Sequence, residues 1–118
     1  MKTFYEIVEE TLKEVNEIDI YQLKKILDEK ENIKLIDIRE DREWVNGKIP
    51  SSTHIGRGVL EKGLPEVAAV DDKIILYCAG GYRSVLACKS ITQMGFKESF
   101  SLKGGITDWI SAGFEVEE

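Results

Sequence analysis

The run Ile74-Ile75-Leu76-Tyr77 ends at Cys78, passes through Ala79-Gly80-Gly81-Tyr82, and gives way at Arg83-Ser84 to apolar residues of helical period. A short β-branched and aromatic run bounded by glycines reads as a buried strand. Val85, Leu86, Cys88, Ile91 and Met94 read as one face of a helix. Between them there is room only for a tight loop, so a thiol stands at the carboxyl end of a strand with loop amides curling round it. Successive N–H groups in such a loop form an anion-binding nest, and the following helix adds the positive end of its dipole. Both favour ionised sulfur. Gly80 and Gly81 remove the Cβ atoms that would block close backbone approach. A lone cysteine is most often a small buried hydrophobe. Placed between a strand and a Gly-Gly turn followed by arginine, Cys78 is instead a candidate nucleophile for an anionic substrate.

The rest of the chain supplies a frame for that loop. Phe4, Ile7, Val8, Leu12 and Val15 predict an amphipathic helix over residues 3–15, expected to pack on the domain surface. Asp19 is a candidate N-cap for a second helix carrying Leu23, Ile26 and Leu27. Lys34 to Arg39 reads as a mostly buried strand that turns polar at its end. In open parallel sheets the carboxyl ends of strands form the ligand crevice, which would bring Asp37 and Arg39 to the edge that holds Cys78. Arg39 and Glu40 are expected to form a solvated ion pair, and Trp44 to lie in the core. Thr53 to Ile55 is a short strand. His54 within it is the only histidine, and it reads as structural because a thiolate formed by its loop needs no base. Leu64-Pro65 starts a short helical or turn segment. Cys88 is expected in the core of its helix, Gly95 stops that helix, and Phe96 to Leu102 is a last strand. Strands and helices alternate, which predicts an α/β domain with a parallel sheet and right-handed crossovers.

Charge and cysteine usage narrow the function. A formal net charge of −6 argues against nucleic acid, which needs clustered Lys and Arg. Any anion site must therefore be locally positive. Two cysteines and one histidine give no zinc constellation. Cys78 and Cys88 are not placed for a disulfide, which suits a reducing compartment. No run is long enough for a membrane span, and Glu6, Glu9 and Glu10 interrupt what a signal peptide would need. The expectation is a cytoplasmic protein with no metal, no cofactor and no membrane partner.

Cys78-Ala79-Gly80-Gly81-Tyr82-Arg83-Ser84 resembles the active-site loop of rhodanese domains, the sulfurtransferases that carry a persulfide on one cysteine. Other segments agree in order. Asp37-Ile38-Arg39 is similar to the family's Asp-(Val/Ile)-Arg. Glu43 to Pro50 resembles the segment ending Gly-His-Ile-Pro-Gly-Ala, with Lys48 where histidine is usual and Ser51-Ser52 in place of Gly-Ala. Arg57-Gly58-Val59-Leu60-Glu61 resembles an Arg-Gly-x-Leu-Glu stretch, and Gly104-Gly105 with Trp109 resembles Gly-Gly-x-x-x-Trp. The resemblance implies a rhodanese-like fold: a mainly parallel sheet of about five strands with helices on both faces over residues 17–118, preceded by an extra N-terminal helix in residues 1–16.

It also implies chemistry. Cys78 would take sulfane sulfur from thiosulfate or a related persulfide donor and pass it to a thiol, a protein thiol or cyanide. Residues 79–84 would cradle the persulfide. Asp37 and Arg39 would brace the site, with Arg57 and Glu61 in support. Arg83 either binds sulfonate oxygens at the pocket mouth or turns inward to hold the loop, with Asp37 or Glu61 as its partner; Tyr82 would shape the rim and Ser84 cap the helix start. Related phosphatases and arsenate reductases carry the longer Cys-x5-Arg loop, whereas Cys78 and Arg83 stand in Cys-x4-Arg. A non-catalytic or regulatory module that binds a protein or senses sulfide is the alternative.

Overall fold

Alternation along the central strand decides how the molecule is layered. The computed structural model describes all 118 residues, and its central strand is β4, Lys73–Tyr77 in chain order. Ile74, Leu76 and the adjoining Cys78 face one side, where they pack with Ile36, Leu60, Leu64, Ala87 and Ile91. Ile75 and Tyr77 face the other, against Leu23, Ile26, Leu102, Ile106 and Trp109. A strand apolar on both faces must be covered on both.

The sheet has five strands in the order β1-β5-β4-β2-β3, all parallel. They are β1 (Asn16–Ile18), β2 (Lys34–Asp37), β3 (Ser52–His54), β4 and β5 (Glu98–Leu102). On the face of Ile74 and Leu76 lie α4 (Leu60–Val67) and α5 (Arg83–Gln93); on the face of Ile75 and Tyr77 lie α2 (Ile20–Asp28) and α6 (Gly105–Ser111). Asp19 caps α2 as expected, its carboxylate accepting from the Gln22 N–H while the Gln22 side chain returns a bond to the Asp19 amide. The remaining helices are α1 (Phe4–Thr11) and the single turn α3 (Asp41–Trp44). No helix is long and apolar enough to cross a membrane.

Three expectations need correction. The first helix ends at Thr11, not near residue 15: the amides of Lys13 and Glu14 bond three residues back, tightening the chain before it extends into β1. Strand β1 itself was not anticipated, because Asn16-Glu17-Ile18 carries one apolar residue and is defined by pairing with Phe100 to Leu102. Helix α4 begins at Leu60 and holds Pro65 inside it, so Pro65 does not open the helix.

Register brings the chemistry to one edge. Asp37 lies beside Tyr77 on β4 and beside His54 on β3. The loops that leave β2, β3 and β4 therefore emerge together at the carboxyl end of the sheet.

Candidate active site

Cys78 sits one residue beyond β4 and is 1% exposed. The Gly81 N–H donates to its Sγ at 3.2 Å. The Ser84 hydroxyl lies 3.6 Å from Sγ and 2.7 Å from the Ser101 hydroxyl. Ser84 and Ser101 are both fully buried, so the sulfur meets an amide on one side and a chain of two hydroxyls on the other. Ser84 thus faces the sulfur and does not cap α5. The helix starts after Tyr82 without a side-chain cap, leaving its first amides to the loop.

The loop backbone is held from below by the start of α6. Ile106 N–H donates to the Cys78 carbonyl and Thr107 N–H to the Ala79 carbonyl, both at 3.0 Å. The approach is close enough to demand glycine twice. At Gly81 (φ +89°) a Cβ would lie 2.8 Å from the Gly104 nitrogen and 3.0 Å from the Leu102 oxygen. At Gly105 (φ +56°) a Cβ would overlap the Cys78 and Ala79 carbonyls.

Arg83 turns to a partner other than Asp37 or Glu61. Its Nη1 and Nη2 donate to the two carboxylate oxygens of Glu43 at 3.0 and 3.2 Å. Glu43 also accepts from the Glu40 N–H at 2.9 Å, which fixes it at the start of α3. Arg83 holds the Glu43 carboxyl below its ordinary range, against the opposing effect of burial and with help from the Glu40 amide. Glu43 in turn raises Arg83; burial opposes this, and the nearby Cys78 sulfur adds to it.

Asp37 and Arg39 form a separate, buried pair. Arg39 Nη2 donates to Asp37 Oδ2 at 2.7 Å and to the Gly47 carbonyl at 2.7 Å, and the Arg39 amide donates to Asp37 Oδ1. Side-chain exposure is 7% and 0%, so this is no solvated pair with Glu40, whose backbone instead begins α3. Burial works against the Arg39 charge, and the Asp37 carboxylate more than restores it. The pair ties the end of β2 to the segment before β3.

Arg57 turns to Glu61, at 2.8 and 3.0 Å, and Glu61 also accepts from the Ser90 hydroxyl of α5. Arg57 faces an open groove shared with Glu40 and Arg42. No hydrogen bond or ion pair joins Arg57 or Glu61 to the Cys78 loop. His54 bonds the Arg39 carbonyl through Nε2 at 2.8 Å and stacks on Trp44 at 4.9 Å, a structural place. Trp44 is half-buried on the surface, stacked on His54 with Lys48 over its ring, and not in the core. Cys88 is buried in the core as expected, and burial pushes its thiol up to about 12.

The N-terminal helix reaches the loop from the other side. Tyr5 meets Tyr82 edge-on at 5.3 Å, with Phe4 6.5 Å away. A cavity of about 290 Å³ separates α1 from the loop, walled by Tyr5, Val8, Leu12, Val85, Gly80 and Gly81. Sequence reasoning missed Glu43, Ser101 and the Tyr5–Tyr82 contact. A serine on the buried side of β5 was the one local signal. Glu43 and Tyr5 are tied to the loop only by tertiary contact.

Comparison with known proteins places the chain in a family. A family model described as "Rhodanese-like domain" matches residues 19–112. A sulfurtransferase of Allochromatium vinosum is 32% identical over 102 residues, 86% of this chain and 94% of its own length. A thiosulfate sulfurtransferase of Pseudoalteromonas translucida is 32% identical over 101 residues, 86% and 94% of the two chains. Among solved structures, a Rhodopseudomonas palustris protein of unknown function, described as a possible tyrosine phosphatase, superposes with a TM-score of 0.88 at 29% identity. That superposition covers 99% of this chain and 96% of the other.

Proposed function

This chain belongs to the rhodanese-like domain family, and from that footing we propose that it is a sulfurtransferase carrying sulfane sulfur on Cys78. Relatives named as sulfurtransferases at 32% identity support the activity in general. The donor is thiosulfate or a related persulfide, and the acceptor a thiol, a protein thiol or, in an assay, cyanide.

The cycle splits one transfer into two displacements at sulfur. Cys78 thiolate attacks the outer sulfur of the donor; the new bond is Sγ–S, and the bond that breaks is the donor's own. With thiosulfate, sulfite leaves with the electron pair and Cys78 becomes a persulfide anion. The acceptor thiolate then attacks the terminal sulfur and Cys78 leaves as thiolate. Charge develops on sulfur inside a nearly closed loop, where the Gly81 N–H donates to Sγ and the Ser84 hydroxyl, the thiol's acceptor, turns to donate once the sulfur is ionised. Ala79, Gly80, Tyr82 and Arg83 complete the ring, the amides of Ile106 and Thr107 hold it from below, and the Asp37–Arg39 pair lies at the end of the neighbouring strand.

The observation that carries this reading is the Gly81 N–H aimed at Sγ from within a four-residue ring. That ring suits one sulfur atom bonded to Sγ better than a tetrahedral phosphoryl group, which disfavours phosphatase chemistry. Intact-protein mass tests the proposal. Incubation with thiosulfate should add one sulfur atom, and cyanide should remove it as thiocyanate. Cys78→Ala should take up nothing, while Cys88→Ser should load normally. No adduct with thiosulfate or with any persulfide overturns the enzyme reading in favour of a binding module. Aryl phosphate hydrolysis lost in Cys78→Ser would favour the phosphatase instead.

A further inference from the structure

A thiosulfate site needs positive charge that is free to meet sulfonate oxygens, and a guanidinium fork beside the nucleophile is the natural donor of it. Here the fork is taken. Both terminal nitrogens of Arg83 are engaged by both oxygens of Glu43, and that carboxylate is itself fixed by the Glu40 amide. The pair is a quarter to a third exposed, so it is partly shielded from water. The other guanidinia at this edge are matched as well: Arg39 by buried Asp37 and Arg57 by Glu61. Of the four arginines, Arg42 alone makes no ion pair, and it lies out in the groove with Arg57. What remains against Sγ itself is the Gly81 amide and the Ser84 hydroxyl; the cation nearest the loop without an ion pair, Lys103, lines the cavity on the α1 side of Gly80 and Gly81 rather than the Arg83 side.

We propose that Glu43, by occupying the Arg83 fork, determines donor class: it turns the site away from small dianionic donors and toward organic persulfides. This rests on the sulfurtransferase reading above. A sulfonate dianion has to separate Glu43 from Arg83 and then sit beside the displaced carboxylate. An alkyl persulfide, R–S–SH, presents only its terminal sulfur to the loop. Cys78 thiolate forms the Sγ–S bond, the persulfide's own S–S bond breaks, and R–S⁻ leaves with the electron pair. The proton stays on the transferred sulfur, so nothing is oxidised or reduced overall.

The test compares initial rates of Cys78 sulfur loading from thiosulfate and from the persulfide of 2-mercaptoethanol, which carries no sulfonate, in wild type and Glu43→Gln. Glutamine keeps the shape and frees the guanidinium charge. The variant should raise the thiosulfate-to-persulfide ratio of kcat/KM by roughly tenfold, the worth of one charge-assisted contact, and the change should lie in the thiosulfate KM. A Glu43 that merely props the loop predicts the opposite sign, a higher KM or a lower kcat with both donors. An unchanged or lower ratio overturns the proposal. Should the glutamine variant melt below the assay temperature, Glu43→Asp, which keeps the charge but loosens the fork, should move the ratio the same way by a smaller factor. Wild type that loads from neither donor ends the sulfurtransferase reading itself; wild type that loads, with no shift in the variants, ends only the role of Glu43.

Discussion

Beneath Cys78 two glycines do what no other residue can. Gly105 holds a left-handed conformation with the Cys78 and Ala79 carbonyls against its α-carbon. Gly105→Ala should therefore cost about 3 kcal/mol, combining backbone strain with displacement of the loop. Urea unfolding would measure it, and sulfur loading should fall with it. Ser101 gives a subtler case. Its hydroxyl fixes the Ser84 hydroxyl at 2.7 Å, and Ser101→Ala leaves Ser84 free to turn from the sulfur. Loading should slow several-fold, and the fully buried Ser84 hydroxyl, left one partner short, should cost about 1 kcal/mol of unfolding stability. Cys78 was legible because everything that marks it lies within seven consecutive residues. Glu43 was not, since its meaning depends on a guanidinium 40 residues away, and nothing local separates it from any glutamate in a first helical turn.

At the scale of elements, α1 poses the clearest question. It is anchored by Val8 and Thr11, both 3% exposed, and it delivers Phe4 and Tyr5 to the exposed ring of Tyr82. Val8→Ala should lower unfolding stability by about 2 kcal/mol, measurable by denaturant melts, while the stoichiometry of sulfur on Cys78 stays at one atom per chain. A fall in stoichiometry would mean that α1 belongs to the active loop and is more than a support beside it. Long periodic segments such as α2 and α5, and apolar runs such as β4, could be read from the chain because each buries its own face. Strand β1 could not. Three residues with one isoleucine acquire strand geometry only from the β5 edge, and Trp44 likewise takes its place from His54 and Lys48.

Across the whole molecule, ionisable groups define a window of stability. Arg83 lowers Glu43, and the Ser90 hydroxyl and Arg57 lower Glu61, in each case against burial. Groups lowered in the fold stabilise it above the ordinary glutamate value of 4.5 and stop doing so as pH falls through their folded values. Burial raises Tyr77 and raises Cys88 to about 12. Those two favour the fold below their ordinary values of 10 and 9 and lose that contribution as pH rises toward the folded values. Melting temperature should thus be flat through neutrality, fall below pH 4.5 and fall again above pH 9. Glu43→Gln should flatten part of the acid limb and leave the alkaline limb alone. The support that Ile106 and Thr107 lend to the Cys78 and Ala79 carbonyls also has a consequence for synthesis. While residues 105–107 are still inside the ribosome, the Cys78 and Ala79 carbonyls lack the amides that later hold them. The loop that aims the Gly81 N–H at Sγ is therefore anchored from beneath only when that later turn closes.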